Sequence, residues 1–205
     1  MTLFRIPGSG PTVYMQHGLE DSSATWVLLG PDHGAPAFRL AEAGYDVWLG
    51  NFRGNNYARE HLTYKPSDKE FWSFTWDEMA KYDLPALLNY TIEHSGKEKI
   101  YYVGHSMGTT TYMAMNSVDQ SWAERVELAV LLAPIAFMDN MESPLRYIAP
   151  FVGLFDVDSH FSPFEFVLRI FFQWIVDHLG SGEFLPSNWL MDLLAGLCDV
   201  NWIGQ

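Results

Sequence analysis

Between residue 12 and about residue 138, short runs of apolar residues alternate with longer stretches of helix-like character. Four of the runs, TVYMQ (12–16), YDVWLG (45–50), KIYYVG (99–104) and ELAVLLAP (127–134), have the length and β-former content of buried strands. The stretches between them supply the helices. APAFRLAEAG (35–44) ends on Gly44, and DEMAKYDLPALLNYTIEHSG (77–96) ends on Gly96, each glycine placed as a helix stop. Pro85 is expected to bend the second of these or to lie near its first turns. A third helix should begin at about Met107 and run through TTTYMAMNSV. The order strand, helix, strand, helix, strand, helix, strand predicts a mostly parallel sheet wrapped by helices.

After APIAF the texture changes. Pro144, Pro150, Pro163 and Pro186 punctuate aromatic-rich segments without strand alternation, which predicts helical, cap-like material. The chain therefore divides into an α/β core over residues 1–140 and the start of a helical cap over 141–205. In the cap, FEFVLRIFFQWIVDHL is apolar on nearly all sides of a helix, but Glu165, Arg169 and Asp177 interrupt it and it is too short to span a bilayer. Burial, or contact with acyl chains or a lipid surface, would each account for it. About four strands ending inside a cap make an α/β sheet that looks unfinished.

Composition narrows the classes of function. A chain of 205 residues with 48% apolar and 16% aromatic residues can bury one full core. A formal charge of −13 repels phosphate backbones and argues against nucleic acid as a partner. Cys198 stands alone, so no internal disulfide can form. MTLFRIPGSG has no apolar signal core. There is one glycosylation sequon, Asn89-Tyr90-Thr91, which matters only in the secretory pathway.

The chemistry concentrates in YYVGHSMGTT (101–110). A serine between two glycines, following a strand and opening a helix, is the pattern of a nucleophile elbow: a tight turn pushes Oγ outward, and side chains at Gly104 and Gly108 would strike neighbouring backbone. Ser106 is the candidate nucleophile. The amide of Met107, at the positive end of the following helix, is the natural first donor to an oxyanion. A second donor is expected from the loop after the first predicted strand, where His17-Gly18-Leu19 makes the Leu19 amide the candidate. His17 precedes the serine, against the Ser, acid, His order of this architecture, and is read as a residue that shapes the loop.

QHGLEDSSATW, AEAGYDVWLGNFRGNNYAREH, EFWSFTWDEMAKYDLPALLNY and YYVGHSMGTT, in this order and spacing, resemble the acid lipases, a group of α/β-hydrolases that includes gastric and lysosomal acid lipases. The resemblance covers residues 3 to 138 and, more weakly, GEFLPSNWLMDLLAGLCDV in the cap, where a cysteine commonly forms a disulfide in the family. It implies a partial α/β-hydrolase fold and hydrolysis of neutral lipid esters, triacylglycerols or cholesteryl esters, without metal or organic cofactor. It also implies a secreted or lysosomal glycoprotein. By position Ser106 matches the nucleophile, and Leu19 and Met107 match the oxyanion donors. Met107 replaces a glutamine frequent in the family, a change expected to alter pocket shape more than chemistry because the donor is backbone. WLGNFRGN is a family signature, in which Asn51, Arg53 and Asn55 are read as polar groups pinning the loop after a strand.

In the family the catalytic acid and histidine follow the cap. Only 99 residues follow Ser106 (205 minus 106) and they end in cap-like sequence, so both partners are expected to be absent. Asp139, His160 and His178 are read as a strand-end aspartate and surface histidines rather than a substitute triad. TLFRIP resembles the family's second strand, so a first strand and a signal sequence are expected before Met1. Two functions follow: a serine ester hydrolase seen in part, or a truncated, non-catalytic product that binds lipid or pairs with a full-length relative.

Overall fold

The computed structural model describes residues 1–137, of which Met1–Ala136 forms a compact unit. Five strands, β1 (Thr2–Ile6), β2 (Thr12–Gln16), β3 (Asp46–Asn51), β4 (Ile100–His105) and β5 (Val126–Leu132), form one sheet in the order β1-β3-β2-β4-β5. β1 runs antiparallel to β3; every other pair is parallel. All four runs expected as strands are strands, within a residue or two at each end. Asp139, His160, His178, Cys198 and the predicted cap lie outside the described residues.

The helices begin and stop where local chemistry directs. α1 (Pro36–Glu42) opens on a proline whose missing N–H costs nothing at a first turn. α2 (Trp76–Glu78) opens on a capping box, with the Thr75 hydroxyl accepting from Asp77 N–H and the Glu78 carboxylate accepting from Thr75 N–H. It leads through a π-helical turn, Met79–Asp83, into α3 (Leu84–Ser95), which ends at Gly96 with φ 68°. The wide turn has a cause two residues on. Pro85 has no N–H for the Lys81 carbonyl and its ring crowds that group, and one widened turn relieves the conflict. α4 (Met107–Val118) and the short α5 (Trp122–Arg125) complete the α-helices among the described residues.

Strand alternation sends side chains to two cores. Tyr14, Trp48 and Tyr102 meet Leu84, Leu87, Leu88 and Met115 on the side of α3 and α4, while Val13, Met15, Val47 and Leu49 meet Ala37 and Trp26 on the side of α1. With both faces covered, β2 and β3 are buried along their whole length. Each large side chain so buried contributes about 1.5–3 kcal/mol. β5 lies at the margin of the described sheet, and Leu128, Val130 and Leu132 are 40–56% exposed.

This topology positions the site. From β2 the chain turns to one side to make β3, then crosses back to make β4 on the other side of β2. The carboxyl ends of β2 and β4 therefore flank the switch point, where open α/β sheets form a crevice.

Candidate active site

Ser106 joins β4 to α4 with φ 50° and ψ −118°. Among the described residues three non-glycine positions have positive φ, Glu20, Ser106 and Ala133, and they follow β2, β4 and β5, so backbone strain gathers at the carboxyl end of the sheet. A serine at a helix N-cap ordinarily caps the helix with its hydroxyl. Ser106 makes no such bond. Its carbonyl instead accepts from Thr109 N–H at 2.8 Å and from the Thr109 hydroxyl at 2.6 Å, and its N–H donates to Leu132 O at 3.0 Å. The backbone is held on three sides while Oγ stays out of the cap.

The flanking glycines are required by space. A Cβ at Gly108 would lie 2.8 Å from Gln16 O and 2.9 Å from His17 O, and one at Gly104 would lie 2.8 Å from Tyr102 Cε1. The Tyr102 hydroxyl donates to Gly108 O at 2.7 Å and so ties the first turn of α4 back to β4. Thr109 and Thr110 clamp the segment after β5: Ile135 N–H donates to the Thr109 hydroxyl at 3.0 Å, and the Thr110 hydroxyl donates to Ile135 O at 2.8 Å.

The loop after β2 lies against this turn, since a Cβ at Gly18 would sit 3.1 Å from Ser106 Cβ. Leu19 follows with an exposed side chain. Met107, as the first residue of α4, carries an N–H that the helix cannot use itself. The structure thus brings Ser106, Met107 and the Gly18-Leu19 segment to one place. His17 is buried, and its Nε2 accepts from Phe52 N–H at 3.3 Å with Asn55 Nδ2 at 3.1 Å. That leaves Nδ1–H to donate to Gly18 O at 2.8 Å. Burial pushes the imidazole below its ordinary pKa, against the raising effects of the Gly18 carbonyl and Asp21. His17 is therefore neutral, with its lone pair engaged, and it shapes the loop. Among the described residues no histidine nitrogen is hydrogen-bonded to Ser106 Oγ, and no group of three His, Cys, Asp or Glu residues is gathered to hold a metal ion.

The WLGNFRGN signature acquires a physical account. Asn51 Oδ1 accepts from Ser23 N–H at 3.0 Å and from Asn55 Nδ2 at 2.8 Å. Arg53 pairs with Asp83, which is 1% exposed: Nε lies 2.9 Å from Oδ1, and the Arg53 backbone N–H donates to Oδ2 at 3.0 Å. The hydrogen bond to Asp83 also holds the guanidinium above its ordinary pKa. Asp83 sits on the π-helical turn. All three polar residues pin the loop, and none is directed to Ser106. Tyr102, Asp83, Thr109 and Thr110 escape the sequence reading, because their partners are distant carbonyls and side chains that leave no local pattern.

A family model described as the α/β hydrolase fold matches residues 11–160. Lipase lipl-1 of Caenorhabditis elegans is 41% identical over 204 residues, covering 94% of this chain and 46% of that protein. Gastric triacylglycerol lipase of Rattus norvegicus is 42% identical over 201 residues, covering 94% of this chain and 49% of that protein. Among solved structures, epoxide hydrolase A from Mycobacterium thermoresistibile is 21% identical with a TM-score of 0.47, covering 74% of this chain and 41% of that one. The chain spans about half the length of these curated relatives. It belongs to the α/β-hydrolase family. Within that family its place is among the acid lipases.

Proposed function

We propose that this chain carries the nucleophile half of a serine ester hydrolase for neutral lipid esters such as triacylglycerols or cholesteryl esters. The observation that carries the reading is Ser106, strained at φ 50°, withheld from capping its own helix and flanked by glycines that admit no Cβ. Ser106 Oγ attacks the ester carbonyl, and the charge on the carbonyl oxygen is taken by the N–H groups of Met107 and Leu19. A histidine from outside the described residues accepts the Ser106 proton and passes it to the leaving alcohol. Water then releases the acyl group by the reverse path. Lipid as substrate is supported by relatives named as lipases and by exposed Leu19, Leu28 and Leu29 after β2. No cofactor takes part, and the setting is secreted or lysosomal.

The test is hydrolysis of a triacylglycerol emulsion and a cholesteryl ester by the full-length protein. Ser106→Ala should lower kcat by at least about 10³-fold; retained activity overturns the assignment. The exposed margin of β5 favours a second reading for the 205-residue chain alone, a non-catalytic form that binds lipid or pairs with a full-length relative. Turnover by the purified chain that disappears in Ser106→Ala excludes it.

A further inference from the structure

We propose that Asn89 is an N-glycosylation site whose first sugar lies in the groove between α3 and the end of α4. The proposal rests on the secretory setting given above, and on three observations. Asn89-Tyr90-Thr91 is the one sequon in the chain. Asn89 is exposed on α3, and Arg125 Nη1 donates to its Oδ1 at 2.8 Å, so the amide is oriented through its oxygen while Nδ2 has no partner among the described residues. A glycan leaves Oδ1 free to accept, so this bond survives modification. Beside Asn89 is a groove of about 470 Å³ to which Lys81, Asp119, Ser121 and Arg125 bring polar groups and Val118 an apolar side chain that is 81% exposed. That mixture suits an N-acetylated hexose, whose hydroxyls need partners and whose C–H face covers apolar surface.

In the reaction Asn89 Nδ2 attacks the anomeric carbon of a lipid-pyrophosphate-linked oligosaccharide. The N–C bond forms, the C–O bond to pyrophosphate breaks, the pyrophosphate leaves with the bonding pair, and Nδ2 loses one proton. Thr91, which the transferase must read, is fully buried in the fold with its hydroxyl donating to Leu87 O at 2.9 Å. Modification therefore precedes formation of α3. From α4 the groove takes Ala114, Met115 and Val118. Ala114 is eight residues from Ser106, about 12 Å along the axis at about 1.5 Å per residue, so the glycan stands clear of the elbow.

The full chain is fused to a heterologous signal peptide in a eukaryotic host, and protein from the lumen or medium is treated with a peptide N-glycosidase. Wild type should drop by one mobility step. N89Q and T91V should show none, and T91S should keep it. E60N/L62T, which places a control sequon on an exposed loop, should show two. One step in E60N/L62T with none in wild type overturns the site. Full-length N89Q is expected to keep wild-type ester hydrolysis. Absence of hydrolysis with the Asn89 step intact defeats the enzymatic reading and leaves the site standing.

Discussion

The Nε2 atom of His17, at the end of β2, accepts the backbone N–H of Phe52, at the end of β3, at 3.3 Å. His17 and Phe52 are both buried where the two loops meet, so each donor there needs a partner within the protein. The imidazole meets two needs at once, accepting on Nε2 and donating from Nδ1 to Gly18 O. The Leu19 amide inherits its position from this bridge, because Gly18 is the residue before it.

The bridge is open to acid. A native pKa below the unfolded value of about 6.5 means that the unfolded chain binds more protons under that pH. The contribution of neutral His17 to stability is complete above about pH 6.5 and declines as pH falls from there toward the native value. His17→Gln should cost about 1–2 kcal/mol at pH 7.5 through the Phe52 N–H it leaves short of an acceptor, yet lose less between pH 7.5 and 5.5 than wild type does. Urea midpoints at the two pH values measure this, and parallel losses would remove His17 from the explanation.

Gly108 should be the least replaceable residue of the elbow. In Gly108→Ala the new methyl meets two backbone oxygens inside 3.0 Å, and neither can rotate away. A loss of about 1–3 kcal/mol is expected. Gly104→Ala should lose less, since its nearest obstacle is the ring of Tyr102. Chemical denaturation of the two variants gives the order, and Gly108→Ala with wild-type stability would contradict the packing described.

Arg53 and Asp83 should respond unequally. Arg53 is about one-third exposed and water can reach its guanidinium, but Asp83 is 1% exposed. Arg53→Ala strands a buried carboxylate and should cost about 3 kcal/mol. Asp83→Asn keeps an acceptor for the Arg53 backbone N–H and should cost about 1 kcal/mol. Equal losses in thermal or urea unfolding would mean that the buried charge is not what the pair satisfies.

The strands and the elbow were legible because their signals are local: apolar runs of strand length, glycine stops, and a G-x-S-x-G placed between a β-former run and a helical one. The antiparallel sense of β1 was not, since pairing direction leaves no trace in five residues. The π-helical turn was half legible. Pro85 announced a disturbance, but whether the helix bends or widens depends on what the displaced residue gains, here Asp83 reaching Arg53 thirty positions away. The signature WLGNFRGN could be recognised but not explained, because His17, Ser23 and Asp83 are brought to it only by the fold.

Ser106 itself offers a separation of strain from chemistry. At φ 50° and ψ −118° a side-chain-bearing residue costs about 1–3 kcal/mol, and Ser106→Ala keeps that cost because it keeps Cβ. Its stability should stay within about 0.5 kcal/mol of wild type. Ser106→Gly removes the steric cost and adds about 0.5–1 kcal/mol of lost chain entropy, for a net gain of about 1 kcal/mol over Ser106→Ala. Both variants should be inactive in the full-length protein, so the gain would be stability recovered by giving up the nucleophile. Paired urea unfolding decides it: a clear advantage for glycine shows that the fold holds the serine against its own backbone preference, and equal midpoints would show that the turn is relaxed and that strain has no part in presenting Oγ.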